Sequence, residues 1–217
     1  MKTVSVIGYG EIGSALVQRI SDLDGWRLGR VLTRHPVPGL PGHTTEAEAF
    51  LGHRADLIID SAGPDALRDF GPGALSLAPF WSVGAVAMAD AAFHARIATV
   101  SAQSGHPLRL FACGMANMPL QARKLEITMR GPEIEEPWTG TLSRAVVRWP
   151  DRLNTAVAMA LNGPGLEATV LTMESGGVDT PHEIDVRAEG DGIRWHSTGP
   201  SASRRAPMRR IRSRRCC

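Results

Sequence analysis

The sequence predicts an α/β fold: a doubly wound parallel sheet followed by a second, smaller α+β domain. Three observations carry that expectation. A strand, a glycine turn and a helix open the chain, a β-α-β rhythm continues to about residue 110, and the pattern changes beyond it.

The opening unit is "VSVIGYGEIGSALVQRI", residues 4–20. Val4, Val6 and Ile7 form a short β-branched run, the pattern of a strand buried on both faces. Gly8, Gly10 and Gly13 follow at G-x-G-x-x-G spacing, and Ile12, Ala15, Leu16 and Ile20 then recur at helical intervals. In such a unit the first glycine permits the tight turn and the second lets a pyrophosphate approach the backbone. The third lets the helix pack closely on the strand. Free N–H groups at the helix start face the phosphates. The competing reading is a glycine turn in some other α/β unit, but the placement between strand and helix favours the dinucleotide-binding Rossmann fold. The residues expected against the cofactor here are Gly8, Tyr9, Gly10, Glu11, Ile12 and Gly13.

The second strand, residues 26–32, ends in Thr33-Arg34-His35, where an acid usually holds the ribose 2′-OH of NAD. No acid stands there. Thr33 is small and Arg34 is suited to a 2′-phosphate, so the expected cofactor is NAD or NADP. The alternative for Arg34 is a solvated loop arginine.

The rhythm continues through "TTEAEAFL" (44–51), a helix with Thr45 and Glu48 at capping-box spacing. Residues 56–60 read as a strand. Residues 63–78 read as a helix in their first half, broken at Gly71-Pro72. "FWSVGAVAMAD" reads as strand and loop, and the alanine-rich stretch 87–99 as a helix. Beyond residue 110, stretches 123–131 and 142–149 read as strands, 154–163 as a helix, and 168–175 and 182–190 as further strands. The expected division is a dinucleotide-binding domain over 1–110, an α+β catalytic domain over 111–198, and an irregular arginine-rich tail over 199–217. No internal repeat is visible.

A chain of 217 residues with 43% hydrophobic and 21% charged content can bury a sizeable core and is ordinary for a globular protein. No apolar run reaches the roughly 20 residues of a membrane span. The start leads directly into a strand, leaving no room for a signal peptide, so a cytoplasmic protein without a membrane partner is expected. Three cysteines, two adjacent at the terminus, make neither a disulfide framework nor a metal-ligand spacing, and no metal is expected. The formal charge of +2 conceals an asymmetry: residues 201–217 hold seven arginines and no acid, leaving a net −5 on the rest. Such a tail suits nucleic acid, but it has no aromatic residue to stack a base. A solvated tail and no nucleic-acid partner are expected.

Four stretches together resemble the L-aspartate dehydrogenase family. They are the glycine-rich opening, "DSAGPDAL" (60–67), "SVGAVAMAD" (82–90), and the pair "WPDRLNTAVAMALNG" (149–163) with "HEIDVRAEG" (182–190). The first is generic to dinucleotide folds, whereas the last two are more specific. The resemblance implies an enzyme that oxidises L-aspartate with NAD or NADP to iminoaspartate, or runs the reverse amination of oxaloacetate with ammonia. It also implies a homodimer and a place in amino-acid metabolism and NAD biosynthesis.

By the same resemblance His182 is the catalytic residue, Asn154 touches the nicotinamide end, and Ala62, Ser82 and Gly84 join the cofactor-binding set. A group titrating near pH 7 suits the proton that leaves the amine, and an amide side chain suits the carboxamide. Arg152 is a candidate for a substrate carboxylate. The bland reading of His182 is a strand-start histidine with an ordinary partner.

The chain departs from the family at residues 111–118, where only Gly114 matches a Ser-Gly-Ala-Ile-Gly-Gly segment, and at Arg152, which replaces an asparagine. It departs again after residue 198, where an Asn-Pro-x-Thr-Ser segment and a long helix are replaced by the arginine tail. Cys113 reads as a buried small residue rather than a nucleophile. Two other readings follow: a dinucleotide-binding protein with little turnover, or a related oxidoreductase such as a dihydrodipicolinate reductase or homoserine dehydrogenase.

Overall fold

The computed structural model describes residues 1–111, 122–132, 134–176 and 182–190, with the backbone of 194–200. Residues 112–118 of the departing loop, Cys113 among them, and the arginine-rich stretch 201–217 lie outside the described residues.

Six parallel strands form the first sheet: β1 (Lys2–Ile7), β2 (Trp26–Leu32), β3 (His43–Thr44), β4 (Leu57–Asp60), β5 (Phe80–Ser82) and β6 (Leu108–Leu110). Their order is β3-β2-β1-β4-β5-β6, so the winding reverses between β1 and β4 and opens a crevice at the carboxyl ends of those strands. β1 is buried from Thr3 to Ile7, as its apolar run requires. On one face, Val17 and Ile20 of α1 (Glu11–Ser21) pack with Val4, Val6, Val31 and Leu57. On the other, α2 (Ala47–Leu51), α3 (Pro64–Leu77) and α4 (Ala91–Ser104) enclose Ile7, Ile58, Leu67, Leu75, Phe80 and Ile97.

The second sheet is mixed. It holds β7 (Ala122–Gly131), β8 (Trp138–Thr141), β9 (Thr169–Ser175), β10 (Glu183–Gly190) and β11 (Arg194–Pro200) in the order β11-β10-β7-β9-β8. Among the described residues of this sheet, only β7 and β9 pair in parallel. Their crossover carries α5 (Leu142–Arg148) and α6 (Asn154–Leu161), which cover Leu125, Ile127, Leu171, Met173, Ile184 and Val186. The alternate residues, Glu126, Thr128, Arg130, Thr172, Glu174, Asp185 and Arg187, line the opposite, polar face. A 3₁₀ turn, Ala85–Ala89, joins the two cores: Ala85 and Val86 belong to the second, Ala87 and Met88 to the first.

Four local expectations are corrected. Residues 142–149 are helical, because Leu142 and Ala145 are buried and Val147 faces solvent at 83% exposure, a helical rather than alternating pattern. α3 runs through Gly71-Pro72 without ending. Burial of both residues, Gly71 against Leu67 and Ile97, outweighs the hydrogen bond that Pro72 forfeits. The capping box does not form: α2 begins at Ala47, and the Glu46 N–H is taken by Thr44 Oγ1 at 3.1 Å. The helix expected over 87–99 starts at Ala91, capped by Asp90, whose Oδ1 accepts from the Phe93 N–H at 2.9 Å. β11, which the sequence did not signal, takes in Gly199 and Pro200 from the start of the expected tail.

Candidate functional site

The glycine turn lies at the crevice. Gly8 leaves β1 with φ +91°, open to glycine at little cost, and its N–H donates to Leu32 O at 2.8 Å. A Cβ on Gly13 would meet the Gly8 carbonyl and, at 2.7 Å, Ser61 Oγ, so α1 packs on the turn as closely as backbone permits. Gly10 differs. It is exposed, and a Cβ there would meet nothing within 4 Å. It sits at the N-cap of α1 with no side chain capping the helix, so the first-turn N–H groups are left for an anion. This turn fits a pyrophosphate. Tyr9 is half-buried, while Glu11 and Ile12 are exposed on the first turn of α1.

Segment 61–63, following β4, forms the facing edge. A Cβ on Gly8 would approach Ala62 Cβ to 2.9 Å, and Ser61 Oγ donates to Ile7 O at 2.9 Å. Ala62 is exposed beside the turn. Beneath it lies Asp60, with 0% of its surface exposed. Asp60 Oδ1 accepts from the N–H groups of Ala62 at 2.8 Å and Gly63 at 3.4 Å, and Oδ2 accepts the Ser82 hydroxyl at 2.6 Å. Ser82 Oγ in turn accepts the Gly84 N–H at 2.8 Å. Burial pushes the Asp60 carboxyl above its ordinary value, and the bonds from Ser82, Ala62 and Gly63 oppose that shift.

Ser82 is fully buried and Gly84 is buried as well, with the Ser82 side chain engaged with Asp60. The 82–84 loop supports the edge from below, and Val83, half-buried, stands between the two residues. The sequence signal for Asp60 was an acid closing the apolar strand "LIID", a group that turns outward to water unless donors hold it inside.

At the far end of the crevice, past β2, Arg34 is exposed. The preceding Thr33 hydroxyl donates to His35 O at 2.6 Å and lies 2.8 Å from His43 Nε2 on β3. These contacts fix the turn that carries Arg34. Sequence reasoning missed His43, because a two-residue edge strand leaves no periodicity to read.

The second sheet brings its candidates to one end. The β7 end at Gly131, the β9 end at Ser175 and the β10 start at Glu183 are neighbours in register, and His182 directly precedes that start. α5 returns to this end, where Trp149 meets Trp138 edge to face at 5.4 Å. Arg152 lines a cavity of about 220 Å³ there with Glu135, Glu136, Arg148, Trp149 and Met173. Asn154, the first residue of α6, reaches the 3₁₀ turn that follows β5: its Oδ1 accepts the Val86 N–H at 2.9 Å. Among the described residues no cluster of three or more His, Cys, Asp or Glu could hold a metal, and no helix is long and apolar enough to cross a membrane.

No family model matches the chain. Among curated relatives, the L-aspartate dehydrogenase of Ruegeria pomeroyi is 28% identical over 86% of this chain and 79% of its own length. That of Serratia proteamaculans is 24% identical over 78% and 76%. Among solved structures, an aspartate dehydrogenase from Thermotoga maritima has a TM-score of 0.70 at 17% identity, covering 91% of this chain and 88% of its own. A dihydrodipicolinate reductase from Paenisporosarcina has a TM-score of 0.57 at 11% identity, covering 93% and 88%. At such identities the structural likeness speaks to the fold.

Proposed function

We infer that this chain, which is similar to curated L-aspartate dehydrogenases, is an NAD(P)-dependent dehydrogenase of L-aspartate. It oxidises the amino acid to iminoaspartate, which water converts to oxaloacetate and ammonia, or it runs the reverse amination. The observation that carries the reading beyond the relatives' names is the Asn154–Val86 bond. It ties the head of α6, in a catalytic domain taken as 111–198, to the crevice edge of a dinucleotide domain taken as 1–110.

The dinucleotide, when bound, supplies the acceptor for the hydride leaving C2. The turn 8–13 and the first amides of α1 hold its pyrophosphate, with Tyr9, Glu11 and Ile12 alongside. Ala62 lies along the same path, and Arg34 accommodates a 2′-phosphate where NADP is used. Asn154 keeps its Nδ2 free of the Val86 bond, available to donate to the carboxamide. His182 takes the proton from the substrate ammonium, because C2 releases a hydride only from a neutral amine. Arg152 pairs with a substrate carboxylate. The same reading makes the enzyme a cytoplasmic homodimer.

The test is oxidation of NADPH or NADH, followed by absorbance, with oxaloacetate and ammonia. Consumption that requires both substrates is the expected result. Dinucleotide binding without consumption would favour the low-turnover reading.

A further inference from the structure

The segment 61–63 is pressed from both sides. Gly8 and Gly13 abut Ala62 and Ser61, while a Cβ on Gly84 would stand 2.6 Å from Gly63 O and C and 2.8 Å from Pro64 N. Two close backbone approaches therefore converge on one three-residue turn. Ser61 is tied to β1, its N–H donating to Ile7 O at 2.8 Å, but Gly63 adopts φ +105° and the chain leaves the ladder there. The Gly63 N–H and that of Ala62 are instead collected by Asp60 Oδ1. The other oxygen holds the 82–84 loop through Ser82, whose hydroxyl donates to Asp60 while its oxygen accepts from Gly84. Every donor around Asp60 thus finds an acceptor, the arrangement a buried carboxylate needs.

We propose that Asp60 is a positioning residue for the dinucleotide: its carboxylate fixes segment 61–63 between the glycine turn and the 82–84 loop, and so sets the spacing of the two edges that receive the cofactor. It touches neither cofactor nor substrate and acts through Ala62, Gly63, Ser82 and Gly84. The proposal rests on the dinucleotide reading above and adds a residue that the reading does not require.

The variants Asp60→Ala, Asp60→Asn and Ser82→Ala separate the two arms. In Asp60→Asn the amide oxygen still accepts from Ala62 and Gly63, but Nδ2 cannot accept the Ser82 hydroxyl. Calorimetric titration of NADP and NAD into the apoprotein, with circular dichroism to verify folding, should show Asp60→Ala weakened by about tenfold or more. Asp60→Asn and Ser82→Ala should each weaken binding less. The double variant Asp60→Asn/Ser82→Ala should fall short of the product of the two, because they share one bond. In the aspartate assay kcat should fall while KM for aspartate moves less than about twofold. Folded variants that melt earlier but bind dinucleotide with wild-type affinity would overturn the proposal and leave Asp60 a purely structural residue. Wild-type protein that binds neither dinucleotide would overturn the functional reading and this proposal with it.

Discussion

Asn154 Oδ1 accepts the backbone N–H of Val86 at 2.9 Å, across 68 positions of sequence. Val86 lies in the 3₁₀ turn that follows the 82–84 loop and packs in the second core. One side chain thus registers the second sheet's helices against the crevice of the first. Asn154→Ala leaves the Val86 N–H without its partner and should cost about 1–3 kcal/mol of stability. Asn154→Asp retains the accepting oxygen but not the Nδ2 donor. It should recover most of that stability and still turn over about tenfold more slowly. Melting curves and kinetics on the two variants check this; wild-type turnover in Asn154→Asp would remove the amide from the carboxamide role.

Two glycines of one motif should respond oppositely. Gly13→Ala drives a methyl against the Gly8 carbonyl and Ser61 Oγ and should destabilise the protein by about 1–3 kcal/mol. Gly10→Ala meets open space and should leave the melting temperature unchanged while weakening NADP and NAD alike. Denaturation paired with calorimetric titration distinguishes the two. Wild-type dinucleotide affinity in Gly10→Ala would mean that Gly10 is not the point of phosphate approach.

Cofactor choice should follow Arg34. Its replacement by alanine should weaken NADP by about 1–3 kcal/mol, the range for a lost charged hydrogen bond, and leave NAD nearly unaffected. Equal losses for both dinucleotides would exclude a 2′-phosphate contact.

What was legible in the sequence was what has a period or a motif. β1, α1 and β2 were read because an apolar run, three spaced glycines and a second run follow in order. α5 was misread because Val146 and Val147 are β-branched, and β-propensity hid the helical spacing of Leu142 and Ala145. α3 was cut at Pro72 because the packing that rescues a helical proline is tertiary. The bond of Ser82 to Asp60, 22 residues earlier, is a pairing that only the fold reveals.

The buried carboxyl gives the protein a pH signature. Burial raises the Asp60 pKa in the folded state above its ordinary value of 3.8. Between these two values the native state binds more protons than the unfolded one, so this group's contribution to stability is full below 3.8. It is lost as pH rises through the native pKa. Asp60→Asn cannot titrate. Urea midpoints measured across the acidic range should therefore fall relative to the variant as pH rises. A wild type that gains on the variant with rising pH would contradict the burial argument.

The measurement closest to the central claim is the fate of the C2 hydrogen of aspartate. Wild-type protein given L-aspartate deuterated at C2, with NADP or NAD, should deliver the deuterium to the reduced cofactor, seen by mass spectrometry, and produce oxaloacetate and ammonia in equal amount. His182→Ala should do so about 10²–10⁴-fold more slowly, the usual contribution of a positioned acid–base group, with dinucleotide affinity nearly unchanged. Protein that binds dinucleotide yet transfers no deuterium, in wild type and His182→Ala alike, would contradict the assignment as an aspartate dehydrogenase.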